Sequence, residues 1–244
     1  MEDVRLSGVV SWFRRTRPRV AAPTVSPRSP AIEVARVELV DLAPSPERYL
    51  GQTAYLTLVL FENLGRAVTA APTTEAKSRL SRAAAEMLAA HEGLIDELAA
   101  RHDDPVAEMD PFRIPLDDFQ RRTQGADWYE ILVTCYVTAG FLTDFFVGLA
   151  AGLPASLSKR VGWLLLADKG EAVLVTELRA AIDASPRLAS RLAMWGRRLV
   201  GDTMLVARSA LEQGGALPEE RIEPVFTELI AAHTRRMDTL GLTA

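Results

Sequence analysis

The sequence predicts an all-α protein: a four-helix bundle with two additional C-terminal helices. Three observations point there. Between Ile131 and Leu153 the only formal charge is Asp144. Elsewhere apolar residues recur in alternating steps of four and three, as in Leu80, Ala84, Met87, His91, Leu94 and Leu98, the period of a helix that buries one face. No stretch alternates with period two, and no segment repeats. A run as long and apolar as Ile131–Leu153 is either a membrane span or a helix buried on every side. No second run compares with it, and a lone acid in mid-span is costly. The buried helix is therefore preferred, with no membrane span, and it requires other helices around it.

Residues 1–45 read as a largely irregular arm, punctuated by Pro18, Pro23, Pro27, Pro30 and Pro44, which forbid long regular structure. Within it Trp12, Phe13, Arg14 and Arg15 begin an aromatic-basic segment. It reads as a contact for RNA, an acidic surface or a membrane, or as a mobile tail. Residues 46–244 form the helical domain. Its first helix spans Pro46 to about Thr69, and Pro72 and Thr73 end it. The second runs from Thr74 to Ala100, and His91 lies on its inward stripe. The polar stretch from Arg101 to Ala126 contains Pro105, Pro111 and Pro115. It predicts a crossover with a short helical turn or two, being longer than an ordinary helix connection.

The third helix starts at Asp127, a capping residue with Glu130 three positions on in capping-box spacing. Gly152 and Pro154 end it. Glu130, Val137 and Asp144 recur every seven residues and share a face, which sets the two carboxylates about 21 Å apart along the axis. The fourth helix runs from Pro154 to Ala184 with the stripe Leu164, Asp168, Glu171, Val175, Leu178 and Ile182. Two acids on an apolar stripe need pairing, protonation or a metal. Ser185-Pro186 opens a fifth helix as cap and first residue, which Gly214-Gly215 closes. A sixth runs from Pro218 to Leu240 with Gly241 as C-cap. His233, Arg235 and Arg236 sit near its end, where positive charge suits the helix dipole.

The composition is 48% hydrophobic and 25% charged, with a net charge of −4, so a full core is available and general nucleic-acid affinity is not expected. The single cysteine, Cys135, allows no internal disulfide and reads as a small core residue. The N-terminal stretch begins acidic and lacks an apolar core of signal-peptide length, which predicts a cytoplasmic protein. No Gly-rich phosphate loop, GxSxG motif or Cys–His pair is present.

One chemical template suits a four-helix bundle rich in acids: a di-metal centre with one Glu from each of two helices and a Glu-x-x-His pair from each of the others. The sequence half-matches it. Glu62, His91, Glu130, Asp168 and Glu171 are the candidate ligands. Leu88 stands where the first Glu-x-x-His pair needs its acid. Asp168-Lys-Gly-Glu171 has the spacing of the second pair without the imidazole. Of the three histidines only His91 falls on a core stripe.

The strings MDPFRIPLDDFQRRT (109–123), ADWYE (126–130), RLAMWGRRLVGD (191–202) and HTRRMDTLGL (233–242) resemble those of actinobacterial ferritin-like proteins. That family is similar to the tRNA 2-methylthio-isopentenyladenosine hydroxylases, which are di-iron enzymes. The resemblance runs from about Tyr49 to the C-terminus and implies a ferritin-like fold. It also implies a degenerate di-iron site, because Thr57, Ala139, Glu171 and Val173 align where the family carries ligands. Two readings follow. In the first, the protein lacks a working di-iron centre, takes no cofactor and acts by binding or as a structural partner, to an unidentified protein or to a second copy of itself. In the second, Glu62, His91, Glu130, Asp168 and Glu171 hold two iron or manganese ions and the protein hydroxylates tRNA or a small molecule.

Overall fold

Local signals in the sequence set most helix boundaries in the computed structural model, which describes residues 39–167, 170–212 and 219–244. The described residues form a 3₁₀ turn (Leu39–Leu42) and eight α-helices. These are α1 (Pro46–Ala70), α2 (Thr74–Ala99), α3 (Pro105–Arg122), α4 (Trp128–Ala150), α5 (Ala155–Leu166), α6 (Glu171–Ala184), α7 (Pro186–Glu212) and α8 (Glu219–Thr239). Side-chain caps open several helices, Ser185 among them as expected. Ser45 precedes Pro46 and accepts from Arg48 N, Thr73 accepts from Ala76 N at 3.1 Å, and Ser185 accepts from Leu188 N at 3.3 Å. Each satisfies a backbone N–H that a helix start leaves unpaired. At the far end of α8, Gly241 takes the left-handed conformation, φ 74°, and Leu242 N donates to Met237 O at 3.0 Å, closing the helix.

Helices α1, α2 and α4 and the α5–α6 pair make the bundle; α3 lies against α1, and α7 and α8 pack on α4. The all-α helical bundle read from the sequence is the one observed. Helix α4 is its axis. Leu132, Val137, Phe141, Leu142, Phe145 and Leu149 are fully buried, each worth about 1.5–3 kcal/mol of transfer from water. By length and composition α4 is also the one described helix that could cross a membrane, and 61% of its most apolar window is covered by the rest of the protein.

Three expectations change. The crossover is a full helix: α3 has 18 residues with Pro111 and Pro115 inside it. Interior prolines cost about 3 kcal/mol each, but Met109, Phe112, Leu116 and Phe119 form a buried stripe that packs on α1, and tertiary packing overrides propensity. The continuous fourth helix is two helices. α5 ends at Leu166 and α6 starts after Gly170, whose φ of 79° is open to glycine at little cost. The stripe that joined them on paper hid this break. Finally, Leu39–Leu42, which the sequence grouped with the arm, forms a 3₁₀ turn that packs onto α4. Trp12, Arg14 and Arg15 lie outside the described residues.

Candidate functional site

One face of α4 repeats every four residues: Tyr136, Gly140, Asp144. Positions four apart stack on one side of a helix, and here α8 lies across them. A Cβ at Gly140 would collide with Arg236 Nε, so the bare glycine lets the arginine cross α4. Arg236 Nη2 then donates to Asp144 Oδ2 at 2.6 Å, and Tyr136 Oη donates to the Arg236 carbonyl at 3.4 Å. The other guanidinium nitrogen, Arg236 Nη1, is buried without a partner. The pair is half-shielded, with side-chain exposures of 18% for Arg236 and 36% for Asp144.

Beside this pair a cleft of about 360 Å³ opens. Its walls are Leu60 and Leu64 of α1, Met87 of α2, Ala139 of α4, and Leu165 and Leu174 on either side of the α5–α6 break. The break that the sequence pattern concealed is what opens the wall: Leu166, Ala167 and Glu171 line its edge. Burial raises the Tyr136 hydroxyl above its ordinary value, and the negative charge of Glu171 adds to this against the opposing Arg236. Cys135 also lines the cleft; burial pushes its thiol up to about 12, so it is protonated and a poor nucleophile at neutral pH.

Deeper in the bundle, Thr53, Thr57, Met87, Leu142, Thr143 and Phe146 close around a void of about 10 Å³, too small to hold more than one water. Thr57 turns its hydroxyl onto the Ala54 carbonyl at 2.8 Å, and Thr53 turns its own onto the Tyr49 carbonyl at 2.7 Å. Their polar atoms are satisfied within α1.

The sequence-derived ligand candidates are spread out. Glu62 is exposed and accepts from Gln120 Nε2 of α3 at 2.8 Å. His91 is half-buried and faces α1, its Nδ1 donating to the Ala54 carbonyl at 2.9 Å. Glu130 is the capping-box residue: its Oε2 accepts from Ala126 N at 2.8 Å, while Asp127 Oδ1 accepts from Glu130 N at 3.0 Å. Arg191 of α7 ties this box down, contacting Asp127 and standing 3.3 Å from Glu130 Oε1. Burial acts to raise the Asp127 carboxyl, yet the Glu130 backbone hydrogen bond and Arg191 outweigh it and the group falls below its usual range. Glu171 is exposed at the start of α6 rather than on a buried stripe. Asp168 lies outside the described residues. Among the described residues no three His, Cys, Asp or Glu side chains stand close enough to share an ion.

Two functional groups escaped the sequence reading. Arg236, assigned there to the helix dipole, is the cation of the cleft. His233, assigned with it, is buried at 3% exposure, with both ring nitrogens unpartnered. Burial, helped by the Arg236 charge, lowers its pKa. The buried spacing Phe226, Leu229, His233, Met237, Leu240 was the available signal.

Residues 47–219 match the protein family described as the ferritin-like domain of actinomycetes. No curated protein matches the chain.

Proposed function

The chain belongs to the ferritin-like domain family of actinomycetes, and from that premise we propose that it works without a di-metal centre, as a binding protein for a small, mainly apolar molecule. The cleft between α4, the α5–α6 break and α8 is the site. Its volume of about 360 Å³ lies in the range of small-molecule pockets, which are mostly apolar with a few fixed polar groups. Here the fixed groups are the Asp144 carboxylate and the Arg236 guanidinium at the rim, with the Tyr136 hydroxyl beside them. The ligand's apolar body meets Leu60, Met87 and Leu174, and its polar end meets the ion pair.

The donor set supports the metal-free half of this reading. A di-metal centre needs its full complement of carboxylates and imidazoles on one level. Glu130 is already committed to a cap and to Arg191, His91 to a backbone carbonyl and Glu62 to Gln120. The bundle centre offers threonines, leucine and methionine instead. These donors do not fit the group. Kinship with tRNA 2-methylthio-isopentenyladenosine hydroxylases is part of the proposal: the scaffold strings support it, and among the described residues nothing at the bundle centre does. A cytoplasmic setting completes it.

The test has two arms on the full-length protein. Metal analysis after aerobic purification is expected to find well below one iron or manganese per chain; about two per chain would overturn the metal-free half. A neutral apolar fluorophore, N-phenyl-1-naphthylamine, is expected to bind the wild type and to lose affinity in Ala139→Phe and Leu174→Trp, which fill the cleft from opposite walls. Equal binding by all three proteins would remove the cleft as the site.

A further inference from the structure

We propose that a second, smaller cavity, floored by Asn63 and Arg66 of α1, binds a small oxyanion. The two residues stand three apart and so share a face of α1, beside the buried Leu60, Leu64 and Ala67. They point into a cavity of about 220 Å³ completed by Thr123 and Gln124 after α3 and by Ile131 and Thr134 of α4. It is separate from the ligand cleft and does not depend on it.

Two donors in this cavity have nothing to donate to. Asn63 is 5% exposed, and its Nδ2 has no hydrogen-bond partner; neither has the buried Nη1 of Arg66. Three other half-buried guanidinium groups meet carboxylates, while Arg48 lies over the Phe112 ring instead. Arg79 meets Glu177, Arg191 meets Asp127 and Glu130, and Arg236 meets Asp144. Among the described residues no carboxylate lies within ion-pair distance of Arg66. Glu62, one turn earlier on α1, accepts from Gln120 instead. Glu130 is held by Ala126 N and Arg191. Thr134 is committed too: its hydroxyl donates to the Thr123 carbonyl at 3.0 Å and accepts from Trp195 Nε1 at 3.0 Å.

A partly buried cation with no counter-charge, beside an amide donor with no acceptor, is an unstable arrangement unless something supplies both. An oxyanion does. A carboxylate or a phosphate presents two or more oxygens to the planar guanidinium, and one of them can also accept from Asn63 Nδ2. The cavity is smaller than the sites of drug-sized ligands, which matches a free anion or a short acid. No carboxylate lines it to repel such a ligand, and the exposed Gln124 marks the way in.

The full-length protein, at constant ionic strength set with chloride, is titrated with inorganic phosphate in one arm and acetate in the other, following Tm and calorimetric binding. At least one anion is expected to raise Tm progressively in the wild type. A response to phosphate alone assigns the phosphate class, and a response to acetate assigns the carboxylate class. Arg66→Gln is expected to lose about tenfold or more in affinity while folding normally in chloride, because it removes a charge that has no partner. Arg66→Lys keeps the charge without the fork and should bind several-fold more weakly. No response in the wild type to either anion, or an equal response in both variants, overturns the proposal.

Discussion

Glu130 and Asp144 sit on the same face of α4, and each meets an arginine from the C-terminal helices, yet they do different things. Glu130 lies at the start of the helix, buried at 7% exposure, with one oxygen on a backbone N–H and the other near Arg191. Both carboxylate oxygens are used, and the pair joins α7 to the α3–α4 connection. Asp144 lies in the second half of α4, on the rim of a cleft. Its arginine keeps one buried N–H unmet, and the pair borders apolar walls. The same two side-chain types therefore form a structural clamp where all partners are supplied locally, and a recognition element where one is left over. Surroundings decide the role, not the residue type.

The largest effect should come from breaking the clamp. Glu130→Ala leaves Ala126 N without its acceptor and Arg191 with Asp127 alone, which is expected to lower stability by about 2 kcal/mol. Urea titration measures it, and binding of the apolar fluorophore to the folded variant should be unchanged. A variant as stable as the wild type would mean that Asp127 alone holds Arg191 and that Glu130 is idle.

Gly140→Ala attacks the other end. The new methyl collides with Arg236 Nε, and crowding of this kind costs about 1–3 kcal/mol, an amount on the low side here because a flexible side chain can retreat. Its diagnostic effect is on recognition. With Arg236 displaced the Asp144 pair opens, and fluorophore affinity should change by more than stability does. Unchanged affinity in the folded variant would make the ion pair a bystander to the cleft.

The capping box was legible in the sequence, while the Arg191 contact and the cleft were not, for a physical reason. A capping box is local: Asp127 and Glu130 are three residues apart, and backbone geometry alone brings them together. The cleft takes side chains from α1, α2, α4, α5, α6 and α8, so no window of sequence contains it. It also depends on the chain leaving α5 after Leu166 and starting α6 at Glu171. The apolar period ran through that break because Leu164, Glu171, Val175 and Leu178 happened to keep step. In α3 the error ran the other way: Pro111 and Pro115 argued for irregular backbone, while Met109, Phe112, Leu116 and Phe119 kept a helical stripe that packing on α1 rewarded. His91 was read only as inward-facing; the structure turns it onto α1, where the Ala54 carbonyl takes its ring nitrogen.

His233 provides the smallest effect near neutral pH and the sharpest test of the α8 side. Its ring is neutral in the folded protein because burial, with the nearby Arg236 charge, lowers its pKa below the ordinary 6.5. In the unfolded chain the same ring titrates near 6.5. Above that pH both states are neutral and the group contributes no pH dependence. As pH falls below 6.5 the unfolded chain takes up a proton that the folded protein accepts only at lower pH, so stability declines until the folded-state pKa is passed. His233→Phe fills the space with an apolar ring that cannot titrate. It should match or exceed the wild type at pH 7.5, since no hydrogen bond is lost, and it should remove part of the acid-side slope in denaturant midpoints measured from pH 7.5 to 5. Parallel slopes for the two proteins would show that protonation reaches the ring without unfolding.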